Sequence, residues 1–406
     1  MANSLLNGKK IKVFAAAIAD NINYLKNTVQ HITEDEIKGK KFGMSYTFYL
    51  PSNGIATVDS SLDMTSDNKD VFEVPIVGSM VNARIPVTYN AWESLVDIED
   101  FESEIAKPMG SVLAAQITKK VIETSVWASD GAKVVALSNG EVGIGSSDLF
   151  GLTSKLKGVR AGSQVSGYIN PTILGSISSK LLSLFIHSDI QKDIYGDASI
   201  GNMGSAAWIA ENYMPTISVG ATAPAITAVT LSNGIATVTG TNLFNGAAFT
   251  AVNASGVAFN TVDLLSQSIP LEKYTFIVTN VNGAGTSGQF ANYLRGKTVG
   301  GAAQPSATIS GEENDIATAT YTSLLSANST YSVIQVRTPD ALNFTPTSFN
   351  DADGCVTTKA KVDSITANYT SWTDVVKLTT LARIDVPFLA CPLCSKLSRL
   401  LYVQVA

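Results

Sequence analysis

Apolar positions recur at helical spacing through residues 5 to 37, where Val13, Ile18, Ile22, Leu25, Val29 and Ile32 predict an amphipathic arm. After KGKK (38–41) the period drops to two. Met44, Tyr46, Phe48 and Leu50 alternate with Ser45, Thr47 and Tyr49, which predicts a strand. A polar stretch (51–70) separates it from VFEVPIVG and NARIPVTY, two extended segments with one proline each. Prolines are tolerated on edge strands, so residues 43–90 read as a long β-loop with open edges rather than a closed sheet.

The helical period returns in AWESLVDIEDFESEIAKP (91–108), with Leu95, Ile98, Phe101 and Ile105 on one stripe. Pro108 interrupts it and suits the first turn of a second helix of about five turns. Met109, Val112, Leu113, Ile117 and Val121 would share one face of that helix. A further helix is predicted over 147–160, then the strand SGYIN, then the helix TILGSISSKLLSLF with Asn170 as cap and Pro171 in its first turn. Helix, strand and helix in this order predict an α+β core.

From Thr222 to Ser310 the texture changes. Only five charged residues fall there, Asp263, Glu272, Lys273, Arg295 and Lys297, where the chain's average would place about 13. AITAVTLSNGIATVTG reads as a hairpin through Asn233-Gly234, with further strands in AAFTAVNASGVAFNTV and EKYTFIVTN. DIATATYTS and TYSVIQVRT extend the β pattern to about residue 340, so the region reads as a second, all-β module inserted into the first. The C-terminal WTDVVKLTTLARIDVPFLACPLCSKLSRLLYVQVA is β-rich and core-like, and is expected to pair with the earlier α+β part.

A chain of 406 residues predicts two or three domains, or one with an insertion. Charged residues make up 15 % and the net charge is −6. That balance argues against a free nucleic-acid binder and suits a chain that buries surface against copies of itself. The apolar run Val13 to Ala19 is too short for a signal peptide or a membrane span, so no export or anchoring is expected. Three cysteines are too few for a disulfide framework, which favours cytoplasmic synthesis.

Candidate chemistry is sparse. His31 and His187 are the two histidines, and neither sits in a signature of nucleophilic catalysis. CPLC (391–394) has the spacing of half a zinc site or a redox pair, but only Cys355 remains to add, so small core residues are the favoured reading. Gly283, Gly285 and Gly288 repeat a dinucleotide spacing without the acid about 20 positions on that the fingerprint requires. Six carboxylates between Glu93 and Glu104 read first as a solvated face. Alternatively they meet basic groups of a neighbouring subunit, such as Lys38, Lys40 and Lys41. No catalytic, cofactor-binding or metal constellation emerges, and an enzyme is disfavoured.

Three stretches carry a family likeness. SSDLFGLTSKLKGVRAGSQVSGYINPTILGSIS (146–178) gives a helix, a strand ending in Asn-Pro, and a helix. KDIYGDASIGNMGSAAWIAENYMPTISVG (192–220) sets Tyr195, Gly196, Asp197, Gly204, Trp208, Glu211, Met214, Pro215 and Thr216 in order. FNGAAFTAVNASGVAFNTVDLLSQSIPLEKYTFIVT (244–279) resembles barrel strands, with Gly246-Ala247 where a Gly-Asp pair is usual. Together with the segment order, these resemble the major capsid proteins of tailed phages with the Hong Kong ninety-seven type of fold, nearest the P-twenty-two type of coat protein with an inserted β-barrel.

The resemblance implies an N-terminal arm (1–42), an extended β-loop (43–90), a P-domain with spine helix (91–145) and a first part of an A-domain (146–221). An inserted β-barrel-like domain (222–345) and a C-terminal A/P part (346–406) would follow. It implies a virion capsid assembled in the host cytoplasm, with the chain meeting itself as hexamers and pentamers. Scaffolding, portal and decoration proteins would be partners, and double-stranded DNA would be enclosed without sequence-specific binding. No cofactor and no membrane are implied. The expected intersubunit contacts are Lys38, Lys40, Lys41, Tyr46, Phe48, Glu93, Asp97, Glu99, Asp100 and Glu102. An alternative from another class is a β-rich surface-layer or adhesion protein with a binding module at 222–340.

Overall fold

The computed structural model describes residues 8–41, 43–51, 73–90, 106–127, 129–159, 164–181, 201–203, 206–218, 221, 225–232, 235–241, 257–260, 298–299, 302–303, 326–348, 356–374, 379–393 and 397–405. The chain divides into two units. Unit one comprises residues 1–48, 77–122 and 342–391, and unit two comprises 49–76, 123–341 and 392–406.

Unit one holds most of a six-stranded sheet ordered β1 (Ser45–Pro51), β2 (Glu73–Asn90), β19 (Thr379–Pro392), β18 (Ile365–Asp374), β17 (Val356–Val362), with β16 (Leu342–Pro346) also pairing β19; residues 49–51 of β1, 73–76 of β2 and Pro392 are counted with unit two. The two proline-bearing segments predicted as edge strands are one continuous strand of 18 residues, β2. In the strand order it stands between β1 and β19; it pairs antiparallel with β19 from Asn90↔Thr379 to Ser79↔Ala390, and the start of β1 meets it at Ser79 and Met80. The expected break between the two segments is corrected, and the stretch around Pro86 pairs, among the described residues, with β19. Pro86 is accommodated opposite Arg383 because an X-Pro unit is extended already, and a strand needs extended backbone.

The helical arm expected over 5–37 is also broken up. Helix α1 (Gly8–Asp20) stops where Asn21 turns its side chain back to the carbonyl of Ala17, at 2.6 Å. A 3₁₀ turn follows over Asn23–Asn27, then a short helix α2 (Glu34–Ile37) opened by a capping box of Thr33 and Glu36. Ile11, Phe14, Ala15, Ile18, Ile22 and Ile32 are all buried. Polar side chains that bond the local backbone end the helix although the apolar period runs on.

Helix α3 (Lys107–Trp127) bears out the second predicted helix. Leu113, Ile117 and Val121 are buried as expected, but Val112 is 53 % exposed. The inward stripe turns instead through Ala114, Thr118, Ile122 and Ser125, positions three and four apart. At Gly110 the helix passes so close to α1 that a Cβ there would stand 3.0 Å from that of Ala17.

Unit two holds a seven-stranded sheet ordered β3 (Asp130–Val135), β20 (Ser398–Gln404), β15 (Thr330–Arg337), β6 (Val165–Ile169), β8 (Ala206–Ala210), β7 (Gly201–Met203), with β9 (Thr216–Ser218) also pairing β15. Helices α4 (Ser146–Val159) and α5 (Pro171–Leu181) appear where the sequence predicts them. Leu149, Leu152 and Leu156 of α4 join Ile173 and Ile177 of α5 in one core with Val165, Ile169, Trp208, Ile334, Val336, Leu401 and Val403. Gly167 lies against the Trp208 ring, where a Cβ would collide with it. A small ladder of β4 (Leu137–Ser138) and β5 (Glu141–Val142) completes the region before α4.

Residues 330–346, grouped by composition with the β-rich module, supply β15 to unit two's sheet and β16 to unit one's. Alternation identifies a strand without saying which sheet will take it. Within 222–325, β10 (Ala225–Ser232) pairs β11 (Ile235–Thr241) antiparallel with Ser232 opposite Ile235, the strand pairing predicted, while Asn233-Gly234 lie outside the described residues. Strand β12 (Val257–Asn260) pairs β11, and β13 (Thr298–Val299) pairs β14 (Ala302–Ala303).

Candidate assembly surface

Strand β1 ends the order of unit one's sheet. It is fastened at its start: Gly43 N–H donates to the Met80 carbonyl at 2.9 Å, and the Ser45 and Ser79 hydroxyls meet at 2.8 Å. Tyr46 and Phe48 share one side of the strand by alternation, and the Lys40 ammonium stands over both rings, 4.6 and 4.8 Å from their centroids. Such a cation over aromatic faces is worth about 0.5–1 kcal/mol at an exposed position. Lys41 N–H donates to the Tyr46 hydroxyl at 2.7 Å, so the basic turn and the strand hold each other.

Of the ten expected contact residues, the structure brings Lys40, Lys41, Tyr46 and Phe48 together and places Lys38 in the same turn. Phe48 is 5 % exposed, which gives it to the core as much as to any partner. Glu93, Asp97, Glu99, Asp100 and Glu102 lie outside the described residues. The sequence reading missed Met44 and Tyr49, exposed at 52 % and 61 %. Tyr49 points the opposite way from Tyr46 and Phe48, which alternation already implied.

The N-terminal segment is stitched into unit one through one side chain. Asn343 Oδ1 accepts N–H bonds from His31 at 2.7 Å and Ile32 at 3.1 Å, while its Nδ2 donates to Thr345 Oγ1. Thr345 in turn donates to the Ile32 carbonyl at 2.6 Å, and Val29 and Phe344 bond through their backbones. Nothing in the pattern LNFTP announced this role for Asn343.

In unit two, Asn170 caps α5 by accepting from the Thr172 N–H at 3.0 Å, and its Nδ2 donates to the Met214 carbonyl. The expected cap therefore also anchors the turn Glu211–Met214. From that turn Pro215 leads to β9, which pairs β15 with Thr216 opposite Ser332 and Ser218 opposite Thr330. Trp208, Glu211 and Met214 are buried, and Tyr195, Gly196, Asp197 and Gly204 lie outside the described residues. Glu211 Oε1 accepts from the Tyr213 N–H at 3.2 Å; burial raises its carboxyl above the ordinary glutamate value, and this hydrogen bond opposes the rise. Arg337, fully buried, donates to the Tyr168 hydroxyl at 3.2 Å with its guanidinium 5.1 Å from that ring.

Cys391 is a buried free thiol pushed up to about 12 by desolvation, the reverse of what a metal ligand or a redox nucleophile needs. Cys355, Cys394, His187 and the glycines at 283–288 lie outside the described residues. His31 is exposed.

No protein-family model matches the chain, and no curated protein sequence does. Similar solved structures include the capsid of the cyanophage P-SCSP1u, with a TM-score of 0.43 and 11 % identity over 93 % of this chain and 86 % of that one. The mature capsid of bacteriophage PhiM1 scores 0.43 at 8 % identity, covering 93 % and 86 %. The capsid of a native GTA particle scores 0.39 at 8 % identity, covering 99 % and 92 %. Likenesses at these scores and identities assign this chain neither a fold family nor a function.

Proposed function

We propose that this protein is a shell-forming coat protein: a major capsid protein whose copies close into an icosahedral container around double-stranded DNA. The observation that carries the reading is the end of unit one's sheet at β1. There an extended strand offers Tyr49 and Met44 to solvent beside a basic turn braced by Lys40 on two rings. An open strand end with exposed aromatic surface invites pairing with another chain, and a repeated closed assembly satisfies it in every copy. The low charge content and the acidic balance suit contained rather than gripped DNA. The segment order that resembles the tailed-phage coat proteins supports the same conclusion.

In this reading the arm is 1–42, the extended loop 43–90, the P-domain 91–145, the first A-domain part 146–221, the inserted domain 222–345 and the closing A/P part 346–406. Lys38, Lys40 and Lys41 of one copy would face the carboxylates of 93–104 on the next, as hexamers and pentamers form on a scaffold around a portal.

Negative-stain electron microscopy of the chain, expressed alone and with a scaffolding protein, tests this. Closed particles of uniform diameter are expected; small soluble particles in both preparations would overturn it. Reversing charge at Glu99 and Asp100 should reduce shell yield more than it lowers the subunit's unfolding temperature. Normal shells from a less stable variant would assign those carboxylates to folding instead.

A further inference from the structure

One face of unit one's sheet is apolar, filled by Ile384, Val386 and Phe388. The opposite face gathers oxygen-bearing polar groups that the assembly reading does not use. Register sets Asn368 of β18 across from Asp385 of β19. On the other flank Arg84 of β2 stands across from Asp385, and Asn82 stands across from Pro387, two residues along the same face.

Asp385 and Asn368 are both 0 % exposed. Asn82 Nδ2 donates to Asp385 Oδ1 at 2.7 Å, and Arg383 Nε lies 2.7 Å from Asp385 Oδ2. Among the described residues, Asn82 Oδ1 and both polar atoms of the Asn368 side chain are buried without a hydrogen-bond partner. Buried polar atoms are nearly always satisfied, so a run of orphans beside one buried carboxylate calls for an occupant.

The donor set indicates which kind. One carboxylate and two amide oxygens are hard ligands of the type that oxygen-seeking cations take, with water completing the shell. The position next to the carboxylate already holds positive charge in the form of Arg383. That side chain is 41 % exposed, so it has solvent to move into when another cation arrives. We propose that Asp385, Asn82 and Asn368 form a cation site of calcium type, in which the ion displaces the Arg383 guanidinium from Asp385. The hydrogen bond from Asn82 keeps the carboxylate oriented in both states. A single carboxylate gives weak binding, on the order of 10⁻³ M. Because the three ligands come from β2, β18 and β19, only the folded unit offers them together, so occupancy stabilises the fold.

Thermal unfolding of the full chain tests this, in EDTA and in about 10 mM calcium, with magnesium and sodium chloride at matched ionic strength as controls. Calcium is expected to raise the unfolding midpoint by about 2 °C over sodium chloride, and magnesium by less because it demands stricter octahedral geometry. Asp385→Asn should abolish the increment. Asn368→Asp adds a second carboxylate beside the first, so it should unfold earlier than the parent in EDTA and show a larger calcium increment. Should Asp385→Asn fail to fold, Asn368→Asp decides. Equal destabilisation of Asn368→Asp with and without calcium would overturn the site, as would a calcium increment that survives in Asp385→Asn.

Discussion

The two sheets solve opposite problems. In unit two, β15 sits between β20 and β6, and the core of α4 and α5 closes one face with side chains from both helices and five strands. Elsewhere in that unit Gln335 Nε2 lies 2.9 Å from each of three buried serine hydroxyls, Ser125, Ser129 and Ser398. In unit one the strands are longer, the N-terminal segment is sewn in by Asn343, and the order of strands ends on β1 with exposed aromatic surface. The difference teaches that a covered sheet face and an exposed end strand are separate features of this chain, and the proposed association rests on the second. One sheet has a face covered by two helices, and the other ends, among the described residues, on a strand with Met44 and Tyr49 exposed.

Trp208→Ala removes a buried ring from the unit two core and should cost about 3–5 kcal/mol, read as earlier unfolding in denaturant. If the loss is under 1 kcal/mol, unit two is not the stabilising unit. Next comes Asn343→Ala, which strips the acceptor from two N–H groups in unit one and should cost about 2–3 kcal/mol. Its particular signature is faster tryptic cleavage at exposed Lys26 and Lys38. Gln335→Leu should cost less, about 1–2 kcal/mol, because Ser129 and Ser398 still bond each other at 2.6 Å.

The smallest effect is one of pH. The folded-state carboxyl of Glu211 is raised, so the folded chain binds that proton more tightly than the unfolded chain. Stability from this group is present below the ordinary glutamate value and is lost as pH climbs through the raised folded value. Glu211→Gln should therefore match the parent in acid and equal or exceed it near neutrality, flattening the pH dependence of unfolding. A Gln variant that is less stable at neutral pH would show that the charged form is the one the turn requires.

Much of unit two was legible because its signals are local. Asn170-Pro171 states both a cap and a helix start, and the apolar period of α4 matches the leucines that enter the core. Unit one was less legible because its decisive interactions span the chain. The bond from His31 to Asn343 joins residues 312 apart, and no local window weighs it. Pro75 and Pro86 mark extended backbone, yet that their two segments form one strand depends on a partner, β19, that arrives nearly 300 positions later. Of the assembly surface, alternation found Tyr46 and Phe48 and composition found the lysines, but which face of β1 is left to solvent depends on packing that the strand does not encode by itself.

The pairing of β9 with β15 has a practical meaning. Ser218 and Thr330 are direct cross-strand partners, so the two chain ends that flank residues 219–329 lie about 5 Å apart. That is the span of a tight turn. A chain joined there by a two-residue Asn-Gly link would present the same strands to the same neighbours, and a foreign sequence whose own termini lie side by side would fit the same gap. A segment that replaced residues 219–329 would need its own two ends side by side.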